Sequence, residues 1–138
     1  MPELPEVESV AQGLKPDLVG KTIATLEIHW PKWLKHGRLA EAQRELPGQK
    51  ITGVERRGKY IVFRLSKGGT LISHLRMTGR WLVDPEEPLS DRHKSATLHL
   101  KGGRQAIFYD VRKFGRGAYY RKGEPIPELE ELGPEPLD

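Results

Sequence analysis

The chain has 138 residues, 36% of them hydrophobic and 30% charged, with a formal net charge of +4. That is the balance of a soluble globular domain long enough to bury a core. It has no cysteine, which excludes disulfides and thiolate zinc sites within these residues; no apolar run approaches membrane-spanning length and no basic-then-apolar leader opens it, so a cytoplasmic location is expected. Residues 5 to about 19 predict a first helix. Val7, Val10, Ala11, Leu14 and Leu18 recur at helical spacing, Gly20 stands at the stop, and Pro16 predicts that regular helix ends near Lys15. "KTIATLEIHW" alternates like a strand, and Leu39 to Leu46 read as a second short helix closed by Pro47-Gly48.

From Gln49 onward the pattern changes to short strands. "KYIVFRLSKGGTLISHL" puts Ile61, Phe63 and Leu65 on one face and turns at Gly68-Gly69, and "ATLHLKGGRQAIFYD" turns at Gly102-Gly103. Two helices and about eight strands predict an α+β domain: an antiparallel β-sandwich or flattened barrel flanked by helices. "HLRMTGR" (74–80) and "DVRKFGR" (110–116) share Arg-x-x-Gly-Arg at the exits of the two hairpins, a weak internal repeat.

Charge divides the chain at about residue 123. Residues 124–138 carry six acids, no Lys or Arg and four of the eleven prolines, the composition of a linker, and therefore the front part of a longer protein is expected. The first 123 residues hold 23 basic against 13 acidic side chains, which suits a polyanionic partner, nucleic acid above all. A solvated basic surface with no partner explains the composition equally well.

The opening "MPELPEVE" holds the most unusual chemistry. Pro5 suits the first turn of a helix, and Glu6 and Glu8 complement its positive end. Pro2 and Glu3 are not needed for that. Removal of Met1 would leave Pro2 as a terminal secondary amine, able to attack an aldehyde-like carbon and form a cationic iminium. Its ordinary pKa of about 8 leaves a useful neutral fraction near pH 7. Glu3 is then a neighbouring proton shuttle. The five histidines, His29, His36, His74, His93 and His99, match no metal-site spacing, and no metal site is expected.

Five segments in order, "PELPEVE" (2–8), "RRGKYI" (56–61), "HLRMTGR" (74–80), "DVRKFG" (110–115) and "LGPEPL" (132–137), resemble the bacterial formamidopyrimidine-DNA glycosylase family. Leu4, where the related endonuclease VIII branch has glycine, favours the formamidopyrimidine branch. The resemblance implies a base-excision-repair enzyme that removes oxidised purines (8-oxoguanine and formamidopyrimidines) from double-stranded DNA. It then cuts the abasic strand by elimination. It implies Pro2 as nucleophile, Glu3 as general acid/base, Glu6 as support from the first turn, and Lys59 contacting phosphate and aiding proton transfer. A flipped nucleotide leaves a gap in the stack. The resemblance assigns Met77, Arg112 and Phe114 to that gap, and His74 and His93 to backbone phosphates. It further implies a monomer, a catalytic domain over 1–123, and a linker over 124–138 towards a helix–two-turns–helix domain with a four-cysteine zinc finger, neither of which these residues contain. A non-catalytic or catalytically impaired damaged-DNA-binding piece that lacks this clamp remains the alternative.

Overall fold

A computed structural model of the chain describes residues 3–132. Helix α1 (Leu4–Leu18) opens it, followed by β1 (Ile23–Ile28), a 3-10 turn (Pro31–Trp33), β2 (Leu34–His36) and α2 (Leu39–Glu45). Then come β3 (Ile51–Arg57), β4 (Tyr60–Leu65), β5 (Thr70–His74) and β6 (Arg80–Val83). A second 3-10 turn (Asp91–His93) leads into β7 (Lys94–Leu100), β8 (Gln105–Tyr109), β9 (Arg116–Tyr120) and α3 (Pro127–Glu130). Pro2 and residues 133–138, including most of "LGPEPL", lie outside the described residues.

Two sheets face each other, one ordered β1-β7-β8-β6 and the other β2-β9-β5-β4-β3. Both predicted hairpins form, with β4 against β5 and β7 against β8, each antiparallel. Ile61, Phe63 and Leu65 point together into the main core, while Val62 faces the opposite side with Ile72, Ala118 and Tyr120, as a two-residue period demands. Between the sheets Trp33, Phe63, Trp81 and Phe108 pack edge-on or tilted, with ring centroids 5.3–6.2 Å apart. The Trp81 indole N–H donates to the buried Ser73 hydroxyl at 3.1 Å, satisfying the group that burial would otherwise strand.

The α+β sandwich is as expected, with three differences in detail. First, the described residues contain nine strands and a third helix, because β2 (three residues) and α3 (four residues) are too short to leave a periodic signature. Second, β2 runs parallel to β9, so the second sheet is not wholly antiparallel. Third, α1 continues through Pro16 to Leu18, because the fully buried Leu18 side chain is packed in the core and holds the last turn.

The start of the acidic segment is packed down. Ile126 and Leu129 cover the second sheet's outer apolar cluster. Glu128 is only 8% exposed and accepts the Tyr120 hydroxyl at 2.6 Å, with the Lys35 ammonium 3.8 Å away. His36 stacks on Tyr120 at 4.2 Å and pairs with Glu124 at 2.6 Å.

Candidate nucleic-acid interface

Every described residue implicated by the sequence gathers at one end of the sandwich, where strand register brings the pieces together. Tyr60, next to Lys59, pairs with His74, and His74 pairs with Arg116. In the facing sheet Tyr109 pairs with both Arg80 and Lys94, which places His93 and the start of the 110–115 loop at the same end.

Helix α1 presents its N-terminus there. Glu3 is the N-cap residue in extended conformation; its carbonyl accepts the Val7 N–H at 3.1 Å, and its exposed carboxylate makes no capping hydrogen bond. The carboxylate is thus not consumed by the helix it begins. Arg56 ties the helix to the β3–β4 turn, donating to Glu8 at 3.3 Å and to the Gly58 carbonyl at 3.1 Å. Lys59, exposed, follows directly. Glu6 lines an open, largely apolar hollow of about 420 Å³ with Val10, Leu75, Met77, Tyr109 and Val111.

Met77 and Phe114 are where sequence rules alone would not put them. Large apolar side chains belong in a core, yet they are 55% and 50% exposed, and Val111 beside them is 56% exposed. Such a cluster marks a contact surface. Arg112 is exposed too, with its guanidinium 3.9 Å from the Met77 sulfur. Arg76 and Lys113 both hold a left-handed φ of 56°, a conformation that non-glycine residues keep only when their surroundings impose it. The Lys113 ammonium lies 5.0 Å from the Trp30 ring centroid, which helps fix that loop.

His74 accepts the Arg76 backbone N–H on Nδ1 at 2.9 Å, so the neutral ring carries its proton on Nε2, which becomes its donor atom. Burial first, and then the charges of Arg76, Lys59 and Lys35, pull its pKa down to about 4. A neutral donor amid three cations suits a phosphate oxygen. His93 packs edge-on against Tyr109 at 5.7 Å, and its carbonyl accepts the Asp110 N–H at 2.8 Å.

The sequence reading passed over Asp110 and Phe108. Gly79 and Gly115, the shared glycines of the two repeats, both lie close against Cζ and Cε1 of the buried Phe108 ring, where a Cβ on either would overlap it. The repeat is thus two loops seated on one aromatic side chain. The signal in the sequence was a lone acid and a spaced glycine inside otherwise basic motifs.

The sequence profile of the formamidopyrimidine-DNA glycosylase N-terminal domain matches residues 1–117. The chain belongs to that family. It is 42% identical over 139 residues to the formamidopyrimidine-DNA glycosylase of Lactiplantibacillus plantarum, covering 99% of this chain and 50% of that protein. To the Geobacillus kaustophilus protein of the same name it is 45% identical over 144 residues, covering 99% and 51%. Among solved structures it is similar to the Lactococcus lactis Fpg in complex with DNA containing an abasic site (TM-score 0.82, 34% identity, covering 94% of this chain and 48% of that one). It is similar also to MutM in complex with DNA containing carbocyclic 8-oxo-G (TM-score 0.78, 37% identity, covering 86% and 44%). The chain spans about half the length of the relatives it matches.

Formamidopyrimidine-DNA glycosylases carry a zinc finger by the resemblance drawn above, but these residues do not fit one. There is no cysteine, and among the described residues no three His, Asp or Glu side chains converge on a point. No helix among the described residues is long and apolar enough to cross a membrane.

Proposed function

We propose that this domain performs the chemistry of a bifunctional DNA glycosylase and abasic-site lyase acting on oxidised purines in double-stranded DNA in the cytoplasm. The observation that carries the reading is the meeting of Glu3, Lys59 and the exposed Met77, Arg112 and Phe114 at one end of the sandwich. Pro2, the proposed nucleophile, immediately precedes Glu3 in the chain.

With Met1 removed, the Pro2 nitrogen attacks C1′ of the damaged nucleotide and loses its proton. The glycosidic bond breaks, and its electron pair leaves with the base, which takes up a proton. Glu3 then donates a proton to O4′ as the sugar opens, giving the iminium. Loss of a C2′ proton expels the 3′ phosphate and cuts the strand. Lys59 and His74 hold phosphates beside the reacting sugar, and His93 a further one. Met77 and Phe114 fill the vacated stack, and the Arg112 fork faces the orphaned base. Glu6 supports the site from the first turn of α1.

The test is borohydride trapping of the full-length protein on an abasic duplex. A covalent protein–DNA adduct that disappears when the terminal amine is acetylated is the expected result. Tight, salt-sensitive binding with no adduct, despite confirmed removal of Met1, would overturn the catalytic reading. It would favour instead a damaged-DNA-binding role.

A further inference from the structure

We infer that Asp110 is a positioning residue that locks the two wedge loops into one unit, so that Met77 on one and Arg112 and Phe114 on the other enter DNA together. The inference rests on the functional reading above. Asp110 is completely buried. Its Oδ1 accepts the Thr78 hydroxyl at 2.5 Å and the Arg112 backbone N–H at 3.0 Å, and its Oδ2 accepts the Gly115 backbone N–H at 2.8 Å. Thr78 adjoins Met77 in the first loop, whereas Arg112 and Gly115 bracket the exposed tip of the second.

Three donors on one carboxylate are more than a turn needs. Two of them close the 110–115 loop on itself, as an aspartate commonly does. The third, from Thr78, reaches 32 residues back along the chain to the other loop and serves no closure of its own. A buried hydrogen bond to a carboxylate is strong, and its loss leaves an acceptor lone pair with no water to replace the donor. Phe108 gives the pair a common floor, but an apolar floor permits sliding; the Asp110–Thr78 bond sets direction. The Asp110 N–H also fixes the His93 carbonyl at 2.8 Å, so the same residue holds a candidate phosphate contact in register with the wedge.

Loop locking matters only where a stack must be filled. Duplex DNA with an abasic site has an orphaned base and a gap, and single-stranded abasic DNA has neither. The test compares borohydride trapping rates of the full-length protein on these two substrates for wild type, Asp110→Asn, Thr78→Val and Thr78→Ser. Thr78→Val removes the hydroxyl at nearly constant volume, so it remains informative if Asp110→Asn fails to fold. The expected result is a duplex-to-single-strand rate ratio lowered about tenfold or more in Thr78→Val and Asp110→Asn, and restored in Thr78→Ser. Equal losses on both substrates would mean general destabilisation and overturn the inference, as would an unchanged ratio. A wild-type protein that traps neither substrate would instead overturn the functional reading itself.

Discussion

His74 shows how burial and neighbouring cations select one protonation state. Its folded pKa, about 4, lies below the ordinary 6.5. The unfolded chain therefore takes up the proton first. The stability that neutral His74 contributes is fully present above pH 6.5 and is lost as pH falls from there towards 4. Replacing His74 with Gln should flatten urea-unfolding stability across that window. Part of the slope will remain, because burial lowers the His29 pKa as well. In an NMR titration the His74 ring resonances should stay unprotonated down to near pH 4, and a midpoint near 6.5 would refute the assignment. Individual residues were unevenly legible. Burial rules send Met77 and Phe114 inward, and only their place in two family-like motifs marked them for the surface. Asp110 went unmarked because two of its three partners are backbone N–H groups of its own loop, which have no sequence letter, and the third, the Thr78 hydroxyl, lies 32 residues away in the chain.

Elements were read best where period and punctuation agree. The Gly-Gly turns fixed both hairpins, and the alternation of Ile61, Phe63 and Leu65 gave the correct inward face. Helix α1 defied its proline because Leu18 is buried, a tertiary fact. The two Arg-x-x-Gly-Arg loops are clearest in retrospect. Their common glycine is required by close approach to Phe108, not by a special backbone angle. Gly115→Ala should therefore force the ring or the loop aside. We expect a loss of about 1–3 kcal/mol, the usual range for overpacking, measured by urea denaturation. Because the loop carries Arg112 and Phe114, affinity for abasic duplex should fall as well. A stability unchanged by Gly115→Ala would show that the loop is not seated as described.

At the scale of the molecule, the sheets act as a frame that brings dispersed motifs to one rim. Residues 59, 74, 93 and 112 are distant in the chain and become neighbours only through register and hairpin order, which composition cannot supply. The rim is cationic, with Lys59, Arg76, Arg80, Arg92 and Arg112 all exposed. Binding to phosphate should then release counterions, and log K should fall linearly with log salt. Lys59→Gln should shallow that slope by about 0.9, one phosphate's worth, when the full-length protein is titrated by fluorescence anisotropy onto duplex containing a tetrahydrofuran abasic analogue. An unaltered slope would place Lys59 away from the DNA backbone.

The strap formed by Ile126, Glu128 and Leu129 bears on where this unit can be cut. The family profile stops at residue 117, inside β9 (Arg116–Tyr120), and well before the residues that shield Val62, Ile72 and Tyr120. Similarity and packing thus draw different borders. A fragment trimmed at the first would lose most of a strand flanked by two others, and would bare an oily patch on its outer sheet. The acidic stretch, so unlike the basic body in composition, supplies part of that body's covering.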